Sequence, residues 1–176
     1  LSGLYSVNAR KGGNVSPIPA DHSQNLTGIW PKKVVNYKTV MSDAASGFTS
    51  VTYPFPVIRM ADLYLMYAEA LNEKGEDYAT VLPWIDMVRE RSGLQGVKES
   101  WDQYVGNSKY ATQTGLRQII MQERRIELAF EGHYFWDVRR WKTATTELTQ
   151  PLTGWKVRYG ETDVDYYSEN LVLVRD

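Results

Sequence analysis

From Ile58 onward the apolar positions fall into a helical rhythm. Met60, Leu63, Tyr64, Tyr67, Ala68 and Leu71 recur at intervals of three and four residues, which predicts one apolar face of a helix that Gly75 then stops. A second helix carries Val81, Leu82, Ile85 and Val88 as its stripe and ends at Ser92-Gly93. Asp77 or Thr80 can cap it, and Pro83 is tolerable only in a first turn, which favours a start near Thr80. Two such helices joined by a short turn make an αα-hairpin. A third helix opens near Thr112 to Thr114, with Leu116, Ile119, Ile120, Ile126 and Phe130 apolar and Gly132 at its end. Residues 134–142 read as a short fourth helix rich in aromatics and arginine. Between the hairpins, residues 94–111 are a polar, glycine-punctuated loop that carries Trp101, Tyr104 and Tyr110.

The flanks lack this rhythm. Residues 1–57 are dense in turn formers such as Gly12-Gly13-Asn14, Pro17, Pro19, Pro54 and Pro56, with strand-like runs at residues 4–7 and 34–40. Too poor in periodic apolar residues to fold alone, this stretch is expected to lie against a larger body. Residues 143–176 return to irregular structure, and their closing Leu-Val-Leu-Val is a β run with no visible partner, so the chain reads as cut there. The expected fold class is therefore mainly α: tetratricopeptide-like helical hairpins over residues 58–142, with irregular and short β segments over 1–57 and 143–176. Helix starts near Ile58, Thr80, Thr114 and Tyr134 keep no single period, so the repeat is degenerate, with an insertion between its hairpins.

Charge sharpens this division. Five basic and two acidic residues fall in 1–57, twelve and thirteen in 58–142, and three and six in 143–176. Only the middle is charge-dense, and it is balanced there, as solvated helix faces are; no basic field argues for nucleic acid. Without cysteine there is no disulfide, thiolate nucleophile or Cys-ligated zinc. No apolar run approaches the roughly 20 residues of a membrane-spanning helix. Leu1 is not an initiator methionine, and the chain reads as processed or excised from something longer.

Candidate chemistry is sparse. Glu123, Glu127 and Glu131 stack at i, i+4 and i+8 on one helix face, but a carboxylate-bridged metal site would want Glu-x-x-His, and Glu131-Gly132-His133 is off by one and crosses a helix stop. Arg124, Arg125, Arg139 and Arg140, with Arg89 or Arg91, are the expected partners of these acids. The phosphate-cradling and nucleophile-elbow motifs are absent, and no nucleophile lies beside a base. Neither cofactor, metal nor catalytic residue is expected. The distinctive number is 22 aromatics (six Trp, twelve Tyr, four Phe). Tyr64, Tyr67, Phe130, Phe135, Trp136 and Trp141 lie in or beside helices and are expected in the core. Those in irregular segments offer flat faces that can stack on a sugar ring.

Three blocks carry a resemblance: FPVIRMADLYLMYAEALNEKG over residues 55–75, WIDMVRERSGL over 84–94 and IIMQERRIELAFEGHYFWDVRRW over 119–141. In this order and spacing they resemble the SusD/RagB family of outer-membrane nutrient-binding lipoproteins, with a weaker upstream match at Thr27-Gly28 and Lys32-Lys33. The resemblance implies a tetratricopeptide-like scaffold with a less regular ligand-binding part, lipid attachment to the outer leaflet, and a surface-exposed place as lid on a SusC-like TonB-dependent transporter. It implies capture of an oligosaccharide or other nutrient without covalent chemistry. The lipidation cysteine, the N-terminal half and the usual C-terminal end of the family are absent, so membrane attachment would run only through an anchor outside this chain. Arg59, Glu69, Arg89, Glu123, Arg124, Glu127, Arg139 and Trp141 match motif positions that are structural in the family. Sugar-stacking aromatics there come from loops, which makes Trp30 and Tyr37 the first candidates for ligand contact and Trp101 and Tyr104 the next.

Two other classes compete with that reading. A tetratricopeptide-type protein–protein interaction module would bind a peptide in the groove of helices one and three, and a glycoside hydrolase would need a cleft with two acids roughly 5–10 Å apart.

Overall fold

A computed structural model describes residues 51–154 continuously, together with residues 33, 36, 38–41, 48–49, 162, 164 and 172–175. The chain divides into two compact units, residues 34–141 and residues 1–33 with 142–176. As the periodicity predicts, the fold is mainly helical. No helix among the described residues is long and apolar enough to cross a membrane.

In the larger unit, β1 (Val40–Met41) and β2 (Phe48–Thr49) form a short antiparallel pair. Just before β1, where a strand is expected, Asn36 makes a turn: its side-chain oxygen accepts from the Lys38 N–H at 3.0 Å and its carbonyl from the Thr39 N–H at 2.9 Å. Helix α1 spans Met60–Lys74 and α2 Tyr78–Arg91. Gly75, at φ 90°, closes α1 in the left-handed conformation that a side chain would disfavour. Asp77 then caps α2 by accepting from the Ala79 N–H at 2.8 Å. The helix thus starts two residues earlier than Pro83 suggests, and the proline occupies its sixth position, on an exposed side where water can serve the carbonyl left without a donor.

The loop expected at 94–111 is largely helical. Helix α3 covers Val97–Ser100, a π turn runs over Trp101–Val105, and a 3₁₀ turn covers Lys109–Ala111. Val97 and Tyr110 are buried and pin this segment to the core. Helix α4 (Gln113–Glu127) follows, capped by Thr112, and α5 covers His133–Arg140. In the smaller unit, α6 (Ala144–Glu147) precedes β3 (Leu152–Gly154), which pairs antiparallel with β4 (Val172–Arg175). The terminal apolar run therefore has a partner.

The core unites Ala61, Leu65 and Ala68 of α1, Val81, Leu82, Ile85 and Val88 of α2, Val97, Tyr110, and Leu116, Ile119 and Ile120 of α4. For α1 this corrects the expected face. Of the predicted stripe Ala68 is buried and Tyr64 and Leu71 pack partly buried against the core, while Met60, Leu63 and Tyr67 remain exposed. The helix is apolar on most of its circumference, so periodicity does not single out one side. Ala61 and Ala68 flank Leu65 on the buried side, within the core shared with α2 and α4. The larger rings turn toward α2, where Tyr64 and Tyr67 meet Trp84 at centroid distances of 5.9 and 4.7 Å.

The buried face of α4 continues past Ile120 into Glu123 and Arg124, so polar groups enter the core and must be paired. Arg124 donates to Asp62 at 2.8 Å and, through two nitrogens, to Asp137 at 3.0 and 3.2 Å. Glu123 accepts from Arg89. Arg59 binds both Glu127 (2.8 Å) and Glu131 (2.7 and 2.8 Å), while Arg91 reaches Glu127. Arg140 and the Trp141 indole N–H both bind Glu69. The stacked glutamates are thus held mainly from α1 and α2, and Arg124 and Arg140 serve other carboxylates than the expected ones. Asn72, buried and unforeseen, exchanges hydrogen bonds with Gln113 at 3.1 and 2.7 Å and ties the end of α1 to the start of α4.

Not all the helical aromatics are core. Phe130, Phe135 and Trp136 are exposed, as is Ile126. Ile126 lies inside α4 but off the buried face of Leu116, Ile119, Ile120 and Glu123; the helix ends at Glu127 and Phe130 sits at φ 65°, so the chain leaves the helical path before Phe130 can join that face.

Candidate functional site

The insertion between the hairpins holds a concavity. Asp86 and Glu90 of α2, Gly96, Lys98 and Glu99 of α3, and Asp102 and Gln103 of the π turn line an open depression of about 690 Å³. Short local bonds shape it. The Val97 N–H donates to Asp86 at 2.7 Å, which ties α3 to α2, and a Cβ on Gly96 would lie 3.0 Å from the same carboxylate. Asp102 accepts from Lys98 and, at 2.8 Å, from the Tyr110 hydroxyl. Tyr110 itself packs edge-on to Tyr78 at 5.5 Å, so the π turn is anchored through a buried ring. Gly106, at φ 68°, ends the turn.

The electrostatics follow from these contacts. Partial burial pushes the Asp86 carboxyl above its ordinary value, against the opposing pull of the Val97 N–H. Hydrogen bonds from Lys98 and then Tyr110 hold Asp102 below its ordinary value, and Asp102 in turn raises both Lys98 and Tyr110. Four carboxylates face one ammonium around the depression, with the Gln103 amide beside them. Such a set can accept hydrogen bonds from hydroxyl groups but contains no nucleophile with an adjacent base. Among the described residues no group of acidic and histidine side chains is placed to hold a metal ion.

Two expected ligand residues lie on this π turn. Tyr104 is 72% exposed and presents its ring to solvent. Trp101 is half-buried, packs against the core and has its indole nitrogen enclosed without a hydrogen-bond partner. The turn therefore uses one aromatic as an anchor and displays the other. Trp30 and Tyr37 lie outside the described residues. The sequence reading missed Gln103, Asp102 and Glu90 as lining groups, because only the fold of α3 onto α2 gathers them. Of the residues assigned to the scaffold, Arg59, Glu69, Arg89, Glu123, Arg124, Glu127 and Trp141 all make inter-element hydrogen bonds. Among the described residues Arg139 makes none: its guanidinium lies 4.1 Å from the centre of the Phe135 ring, exposed on α5.

A model of the SusD family matches residues 8–170, nearly the whole chain and both units. The chain belongs to the SusD family. This SusD-family chain is 37% identical over 140 residues to SusD-like protein P2 of Formosa agariphila, a match covering 79% of the chain and 27% of that relative. It is 39% identical over 85 residues to SusD-like protein P25 (48% and 15%) and 33% identical over 98 residues to SusD-like protein P38 (56% and 19%), both of the same organism. The chain thus spans about a quarter or less of the length of these relatives. No solved structure matches it.

Proposed function

We propose that this SusD-family chain is part of a noncatalytic nutrient-binding protein at the outer-membrane surface, one that captures an oligosaccharide and passes it to a SusC-like TonB-dependent transporter. Family membership over residues 8–170 carries this reading. The ion-paired helical hairpins are the rigid support such a binder needs, and the π turn carries both an exposed ring, Tyr104, and Asp102 and Gln103, which line the depression and can bond sugar hydroxyls. Trp30 and Tyr37 remain the other candidates for ligand contact, with Trp101 supporting the turn from beneath. Attachment to the membrane would come from a lipid anchor outside this chain. Calorimetry of the protein against a panel of neutral oligosaccharides tests the reading. Replacing Tyr104 and Trp30 by alanine is expected to weaken the best ligand by about tenfold or more, with no hydrolysis product formed. Unchanged affinity in both variants, or product release, would overturn it.

The interaction-module reading has one observation in its favour: Met60, Leu63, Met66 and Tyr67 of α1 are exposed. Peptide capture that is lost when Leu63 and Tyr67 are replaced by serine, with no oligosaccharide bound, would favour it.

A further inference from the structure

Helix α5 turns only Asp137 and Val138 into the core. The opposite side of the same two turns carries Phe135, Trp136 and Arg139, since positions three and four apart share a helix face. Trp136 is 67% exposed and Phe135 44%. Their rings meet nearly perpendicular at 5.2 Å, and the Arg139 guanidinium stacks on Phe135. Phe135 thus contacts both neighbours, Trp136 in a T-shaped pair and Arg139 over its ring. Arg139 differs from most arginines of the unit: Arg59, Arg89, Arg91, Arg117, Arg124 and Arg140 each face a carboxylate, and Arg139 faces none among the described residues. A flat indole left in water near a guanidinium that stacks on Phe135 and meets no carboxylate among the described residues fits a ligand with an apolar ring face and a negative charge.

We propose that Phe135, Trp136 and Arg139 form a binding platform for an acidic sugar, a uronic-acid residue of an oligosaccharide. The C–H face of the pyranose stacks on Trp136, and the planar carboxylate takes paired N–H donors from the Arg139 fork. Charge selects the class. The depression at α2 and α3 surrounds a ligand with four carboxylates and one lysine and disfavours an anion, whereas the α5 platform offers a cation that pairs with no carboxylate among the described residues. The platform goes beyond the π-turn reading and requires neither Tyr104 nor a transporter.

Titration calorimetry of the whole 176-residue chain with oligogalacturonate and with a neutral cello-oligosaccharide of equal length tests the proposal, with circular dichroism to establish that each variant is folded. Oligogalacturonate is expected to bind more tightly than the neutral oligomer, and more weakly as salt rises. Trp136→Ala and Arg139→Gln should each lower that affinity about tenfold, and Arg139→Lys, which keeps the charge and loses the fork, by less. Tyr104→Ala should leave it unchanged, so failure at the π turn and failure at α5 give different patterns. Undetectable binding at millimolar oligogalacturonate, equal binding of the two oligomers, or wild-type affinity in Trp136→Ala would overturn the proposal. So would sedimentation showing a dimer that Trp136→Ala dissociates, because the face would then be an interface between copies of the chain.

Discussion

Replacing Arg124 by methionine keeps the length of the side chain and removes the charge that α1, α4 and α5 share. The guanidinium is almost fully buried and makes three hydrogen bonds, one to Asp62 and two to Asp137. Asp137 retains the Arg140 Nε at 2.9 Å, so Asp62 is the carboxylate left exposed to the full cost of losing its partner. Breaking a buried pair from one side costs about 3–5 kcal/mol, and the surviving Arg140 bond places this variant near the lower end, at about 3 kcal/mol. With a urea dependence of about 2 kcal/mol per molar for a domain of this size, the midpoint should fall by about 1.5 M. Helix ellipticity through a urea titration measures it. Adding Asp62→Asn removes the orphaned charge and should recover about 1–2 kcal/mol of the loss. A loss below about 1 kcal/mol, or a double variant no more stable than the single one, would refute the claim that this pair is buried and coupled.

Gly115→Ala would add a Cβ 2.1 Å from the Lys109 carbonyl oxygen, so the usual helix-propensity gain should reverse to a loss of about 1–3 kcal/mol in a thermal melt. Asp86 has a folded-state pKa above its ordinary value, so its contribution to stability is present below the ordinary carboxylate range and is lost as pH rises through the raised value. Asp86→Asn, which can still accept from Val97, should therefore gain stability relative to the wild type between about pH 4 and pH 7 in paired urea titrations; a pH-independent difference would contradict the assignment. On the π turn, Tyr104→Ala should leave the melting midpoint within the range of about 0.5 kcal/mol seen for surface changes, while Trp101→Ala should cost about 2 kcal/mol. Equal losses would mean that the two rings do not divide into display and anchor.

The elements were readable where local chemistry is decisive. Gly75, Asp77 and Thr112 mark helix ends by their own backbone or side-chain preferences, and the stripe of α2 has one apolar side only. Segment 94–111 was misread because its helical turns depend on Val97 and Tyr110 being drawn into a core made by distant residues. The candidate site suffered the same limit: Tyr104 could be named from its place between hairpins, but the gathering of Asp86, Glu90 and Gln103 around one depression required the fold of α3 onto α2.

By itself the sequence determined the helical class, the order of the hairpins and the family, since these rest on residue type and spacing along one chain. Which side of α1 is buried, which arginine answers which carboxylate and which aromatics stay in water were decided only by the tertiary structure. Those outcomes depend on distances between elements. Met60 and Ala61 are neighbours with equal claims to the core until packing of the helices buries Ala61 and leaves Met60 in water, and Trp136 and Trp141 are alike until Glu69 arrives from α1 to receive the Trp141 indole N–H.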